Sequence, residues 1–172
     1  MIANMIALLI AQASSSTTVQ PAPPPAPCEG PEFAAFDFWV GEWKVYAPGR
    51  EAPIANSLIE KLYAGCAIRE NWVPLRGGGG GSLSAFDPKT GRWHQTWIGG
   101  GPGPVFFDGG PAGNAMVLTG WWPGSGPNGE DGWTRMTYSP LDGGAVRQHG
   151  EFSADHGLSW VTSFDFTYRR KE

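Results

Sequence analysis

This 172-residue chain is poor in charge: 12 Lys and Arg and 16 Asp and Glu leave 16% of positions charged and a formal net charge of −4. Nucleic-acid binders carry a basic patch or stripe, and the longest basic run here is Arg169-Arg170-Lys171. A nucleic-acid partner is therefore not expected. No run of about 18 apolar residues exists, so no integral membrane span is expected, and no basic amphipathic helix points to a membrane surface. Cysteine is scarce, with only Cys28 and Cys66. They form either one disulfide or two unrelated thiols, and an N-terminus of exported character favours the disulfide. Neither a CxxC nor a Cys/His cluster with zinc spacing is present, and the three histidines are not grouped, so no metal is expected. A G-x-S-x-G elbow for a serine hydrolase is missing. The five-glycine run Gly77–Gly81 lacks the Lys-Ser/Thr of a phosphate loop and reads as a linker or lid.

Abundance lies elsewhere. The chain holds 26 Gly, 16 Pro, 9 Trp, 9 Phe and 4 Tyr. That many aromatic side chains argue against disorder, because disordered segments lack large groups to bury. Residues 2–11 are apolar and Ala11-Gln12-Ala13 follows, an A-x-A cleavage pattern. Residues 1–13 thus read as the back part of a signal peptide whose positive n-region is missing, with the true start codon expected upstream. Residues 14–31 form a Ser/Pro-rich linker, expected to be extended because proline fixes φ and removes donors. No lipoprotein-type box adjoins Cys28, so a lipid anchor is not expected. The globular domain is expected over 32–172, and the location is expected to be periplasmic or secreted.

From residue 32, short apolar runs alternate with Gly, Pro, Asn and Asp clusters, the signature of an all-β sandwich or barrel. Ten strands are predicted, near 38–46, 54–63, 66–74, 82–87, 92–99, 104–108, 115–121, 132–139, 145–153 and 159–170, after a short helical turn at 32–37. Short connections favour antiparallel neighbours. Asp87-Pro88-Lys89-Thr90-Gly91 and Leu141-Asp142-Gly143-Gly144 carry turn chemistry. Ser153-Ala154-Asp155-His156-Gly157-Leu158-Ser159-Trp160 matches the S-x-D-x-G-x-S-W hairpin. There Asp155 is expected to bond amides across the turn and Trp160 to pack back on it. His156 is then a turn residue, not a ligand.

Alternation assigns faces. Trp160, Thr162, Phe164, Phe166 and Tyr168 share one face of the last strand. Trp93, Gln95 and Trp97 share one face of the fifth, and Ile68, Glu70 and Trp72 one face of the third. In the ninth, Val146, Gln148 and Phe152 align. If the Trp-bearing faces point inward, Glu70, Gln95 and Gln148 go with them, and Asn56, Glu60 and Arg135 are further candidates. Two readings stand. One is a ligand cavity with apolar walls and polar anchors; the other is a satisfied internal network, such as Glu70 paired with Arg135.

Gly41-Glu42-Trp43 in the first strand and Tyr168-Arg169-Arg170 in the last resemble the calycin superfamily of lipocalin-like barrels. That resemblance implies a first-strand Trp, here Trp43, closed over by an Arg of the final strand, here Arg169 or Arg170. The segments Gly65–Trp72, Phe86–Trp97 and Val146-Arg147-Gln148 resemble a bacterial family of exported lipocalin-like domains over about residues 33–171. This implies a fold and no established reaction. Nitrobindin-type barrels are more distant relatives in shape; they hold haem through a His, and neither His149 nor His156 matches that motif. No cofactor is expected, with haem the alternative.

The expectation is a single antiparallel up-and-down β-barrel that binds a small apolar or aromatic molecule inside. Trp72, Trp93, Trp97 and Phe164 would form walls, with Gln95, Gln148, Arg135 and Glu70 as polar contacts. A non-enzymatic binding protein is favoured. The enzyme alternative is acid–base chemistry of an isomerase or cyclase type. It would use Glu70; Glu60 and Glu70 are the carboxylates expected inside, and if they are close and desolvated the pKa of one is raised. His94 in WHQTW is read as outward-facing. The third alternative is an interaction module with a filled barrel.

Overall fold

The computed structural model describes residues 28–172; the expected signal peptide and most of the expected linker lie outside them. Ten strands form: β1 (Gly41–Tyr46), β2 (Ala55–Leu62), β3 (Ala67–Pro74), β4 (Gly80–Asp87), β5 (Arg92–Ile98), β6 (Pro104–Ala112), β7 (Ala115–Trp122), β8 (Gly132–Pro140), β9 (Val146–Ser153) and β10 (Val161–Arg170). Each pairs antiparallel with its sequence neighbours, and β1 pairs with β10, so the sheet closes into one up-and-down barrel with no free edge. A short helix α1 (Pro31–Ala34) and a 3-10 turn (Asp37–Trp39) precede β1. Residues 38–40, expected within the first strand, belong to that turn and its exit instead.

Alternation decides what goes inside, and one strand end departs from it. Along β10, Thr162 pairs with Glu151 while Phe164 pairs with Gly150, so Ser163 is an extra residue. This bulge turns the strand by one position. Phe164, Phe166 and Tyr168 point inward, but Thr162 and Trp160, expected beside them, lie on the outer side. Thr162 meets His149 there and Trp160 lies under Arg135. Gly150 makes room for the inward turn: a Cβ there would sit 2.3 Å from the Phe164 ring. The five-glycine run is also not all linker. Gly80 and Gly81 are paired residues of β4, and a Cβ on Gly80 would stand 2.7 Å from the Trp97 ring.

The even ends of the barrel differ. At one end, α1 and the 3-10 turn insert a plug. Phe36 and Trp39 are both 0% exposed, stacked at 4.9 Å and packed against Trp93, Tyr138 and Tyr168. The Asp37 carboxylate accepts from Lys61 Nζ at 2.6 Å and anchors the turn to β2. Cys28 and Cys66 form a disulfide at this end, joining the segment before α1 to the β2–β3 turn. Trp43 lies beneath the plug, its ring nitrogen donating to Trp39 O at 2.8 Å. Arg170 covers it, with its guanidinium carbon 4.2 Å from the ring centroid and Nη1 donating to Val40 O. Arg169 lies over Tyr46 instead. Gly41 permits this closure: it holds φ 150°, and a Cβ would lie 1.9 Å from Arg170 Nη1.

The opposite end carries the Gly- and Pro-rich connections β3–β4, β5–β6 and β7–β8, together with the Ser153–Trp160 hairpin. Asp155 there accepts from the Ser159 amide and hydroxyl, and from Ser153 Oγ. These donors hold its carboxyl down at about 2. His156 stands at φ 58° as a turn residue, and Trp160 Nε1 donates to Gly157 O.

Candidate functional site

Strand direction stacks the interior into three layers. Nearest the plug lie Ile68, Trp93 and Val146, all nearly fully buried. Two residues further along their strands come Glu70, Gln95 and Gln148; two further again come Trp72 and Trp97. Between the middle layer and the open end is a cavity of about 280 Å³. Its walls are Trp72, Trp97, Phe107, Trp122, Phe164 and Phe166, with Met136, Tyr138 and Tyr168 toward the floor. Phe164 stacks on Phe166 at 5.1 Å and Phe166 on Trp72 at 5.7 Å, forming one continuous aromatic wall. A second hollow shares Trp72, Trp97 and Trp122 and is otherwise walled mostly by Gly and Pro of the open-end connections, including Gly78, Gly79 and Gly99–Gly103, with Val105 at the start of β6. The mouth is therefore at that end, with three indoles at its threshold.

The floor carries the polar chemistry. Glu70 is 5% exposed. Its Oε1 accepts from Ser57 Oγ at 3.0 Å and Tyr168 OH at 3.3 Å, and its Oε2 from Ser82 Oγ at 3.4 Å. Tyr168 OH donates its shorter bond to Gln148 Oε1 at 2.7 Å. Gln148 Nε2 continues the chain to Tyr138 OH at 3.0 Å, and Gln95 Nε2 donates to Ser84 Oγ at 2.9 Å. Desolvation disfavours a charge here and raises the Glu70 carboxyl to about 7, against the downward pull of the Ser57, Tyr168 and Ser82 hydroxyls. Burial, reinforced by the nearby Glu70 charge, also pushes both tyrosines above the ordinary phenol range, so they stay neutral donors.

Of the residues singled out from the sequence, Glu70, Trp72, Gln95, Trp97, Gln148 and Phe164 line this cavity. Trp93 does not. It is buried one layer deeper, its ring nitrogen donating to Glu32 O and its ring in T-shaped contact with Phe36. Arg135 is corrected to the outer face, where its Nε donates to Glu151 at 2.9 Å and its guanidinium covers Trp160. The Trp-inward rule fails on β8 because Trp133 forms a surface pair with Trp121 at 6.1 Å. The inner face of β8 is Thr134, Met136 and Tyr138. The Glu70–Arg135 pair is thereby excluded. Glu60 and Asn56 also lie outward, Glu60 accepting from Arg69, while Ser57 and Ile59 fill the interior. Glu60 and Glu70 therefore occupy opposite faces of the sheet. Ser57, Ser82 and Tyr138 join the site with no sequence signal, since hydroxyls buried beside a carboxylate carry no motif.

None of the three histidines reaches the cavity. His94 points outward to Asp108 and Thr90, His149 bonds Thr162 on the outer side, and His156 sits in its turn. None is placed to ligate a haem there. Among the described residues no group of three or more His, Cys, Asp and Glu could hold a metal ion, and no helix is long and apolar enough to cross a membrane. Comparison with protein-family models returns no match, and comparison with the curated proteins returns none.

Proposed function

We propose that this chain is an exported binding protein that takes up one small, largely apolar or aromatic molecule in its barrel. The observation that carries the reading is the aromatic-walled cavity with a compact polar floor. Its volume of about 280 Å³ falls between the ~150 Å³ that accepts benzene and the lower bound of drug-sized sites, ~300 Å³. It suits a bicyclic or similarly small molecule. Trp72, Trp97 and Phe164 supply apolar contact, and Glu70, Gln95 and Gln148 orient a polar end. The Trp43–Arg170 closure over a Gly-x-Trp strand supports membership of the calycin superfamily. The Cys28–Cys66 bond supports an oxidising, periplasmic or secreted location. Residues 1–13 serve as the signal segment, 14–31 as a spacer whose end that bond ties to the barrel, and 32–172 as the binding domain.

Calorimetric titration with 1-naphthalenemethanol tests the reading. One molecule is expected to bind per chain, and Met136→Trp, which fills the cavity from its floor, is expected to abolish the heat while the folded circular-dichroism spectrum remains. Equal binding by the filled variant would sink an interior site.

A second reading rests on the Glu70 carboxyl, raised to about 7 at the cavity floor: general acid–base chemistry on the bound molecule. It predicts that compounds held by the protein are converted, and that Glu70→Gln stops the conversion. Recovery of every bound compound unchanged removes it.

A further inference from the structure

Glu70 is an acid without a counter-charge. Ser57 from β2, Ser82 from β4, Tyr168 from β10 and Ser84-bonded Gln95 from β5 surround it, with Tyr138 of β8 and Gln148 of β9 completing the floor. The titratable groups among them, Tyr138 and Tyr168, are neutral phenols. All 12 Lys and Arg lie within the described residues and none is buried. The two half-buried ones, Lys61 and Arg135, are paired with Asp37 and Glu151 on the outside. A carboxylate taken from water without a cation is costly, and its three hydroxyl donors carry no charge. The cavity around it is walled by the rings of Trp72, Trp97, Phe164 and Phe166, and the stacked row Phe164–Phe166–Trp72 offers an apolar surface for a hydrocarbon body.

Resting on the ligand-binding reading above, we propose that the molecule held in the barrel is a small hydrophobic amine. It enters as its ammonium ion, donates N–H to the Glu70 carboxylate, and lays its hydrocarbon body against the Trp72–Phe166–Phe164 wall. The ammonium supplies the charge that the protein omits, and a charge-assisted bond in a desolvated site is stronger than a neutral one. Anionic ligands meet the opposite situation, a like charge with no compensating cation. A proton is part of the balance: Glu70 ionises near pH 7 in the empty barrel, so below that pH amine binding must expel a proton and weakens.

The test is a matched calorimetric series at pH 8: 1-naphthalenemethylamine, 1-naphthalenemethanol and 1-naphthoate. The amine is expected to bind at least about tenfold tighter than the alcohol, a difference of about 1.4 kcal/mol, with naphthoate weakest. Amine affinity in the wild-type protein is expected to fall about tenfold between pH 8 and pH 6, with the alcohol's affinity flat. Glu70→Gln is expected to shrink the amine-to-alcohol ratio below about threefold. Equal affinity of alcohol and amine in the wild type, or an amine preference that survives in Glu70→Gln, overturns the amine assignment and leaves the binding reading standing. Failure of all three probes to bind overturns both.

Discussion

Glu70 concentrates what is unusual about this barrel at the level of single residues. Its carboxyl ionises at about 7 when folded, against 4.5 as the ordinary value. Between those pH values the folded chain binds more protons than the unfolded chain, so stability falls as pH rises through that window. The loss approaches roughly 3 kcal/mol above pH 7. Glu70→Gln removes the titration and keeps the shape. Urea denaturation at pH 5 and pH 8 is therefore expected to show a drop for the wild-type protein that the variant lacks. A steeper drop in the variant would contradict the buried, uncompensated carboxylate. Much at this scale was legible beforehand. Alternation alone put Glu70 on the face of Trp72, Gln95 on that of Trp97 and Gln148 on that of Val146 and Phe152, since a strand's side-chain period is two. Arg135 was misread because Trp133, its neighbour in alternation, is a surface tryptophan, and nothing within β8 distinguishes a buried indole from a paired exposed one.

Elements carry the closure of the barrel. The plug of α1 and the following 3-10 turn makes few backbone bonds to the sheet and depends on Phe36 and Trp39, both fully buried. Phe36 touches Trp39, Trp93 and Tyr138 at ring distances of 4.9, 5.8 and 4.9 Å. Phe36→Ala is expected to cost about 3–5 kcal/mol in chemical denaturation. It should also speed hydrogen exchange across residues 31–40 before it affects the Ser153–Trp160 hairpin at the opposite end. Uniform exchange acceleration at both ends would count against a locally anchored plug. Signals for this element were mixed. Phe36, Phe38 and Trp39 advertise burial, yet their spacing fits the start of a strand as well as a turn, which is why residues 38–40 read as β. The β10 bulge had no sequence mark at all. It follows from fitting Phe164 over Gly150 on the next strand.

For the whole molecule, closure and cross-linking act together. Pairing of β1 with β10 joins residues over 120 positions apart, and the Cys28–Cys66 bond spans 38 residues. Such a loop stabilises the fold by about 3–4 kcal/mol in the chain-entropy account. Cys28→Ser/Cys66→Ser is expected to lower stability by that amount in urea while leaving the naphthalenemethanol titration in place, because both cysteines lie at the plugged end, away from the mouth. Loss of the probe heat from a still-folded double variant would show that the plug shapes the cavity.

The strand count, the antiparallel order, the aspartate-centred hairpin and the Glu70, Gln95 and Gln148 part of the floor were present in local pattern and turn chemistry, which act over a few residues. Three matters needed the closed barrel. One was which of two faces β2 and β8 turn inward, since a register change of one residue inverts every side chain. The second was that Arg170, rather than Arg169, covers Trp43, which follows from the β1–β10 register and the space left by Gly41. The third was that Glu70 stands without a cation. Any of the 12 basic side chains could have met it along the sequence; only the three-dimensional closure sends all of them outside and leaves the carboxyl facing an aromatic-walled cavity.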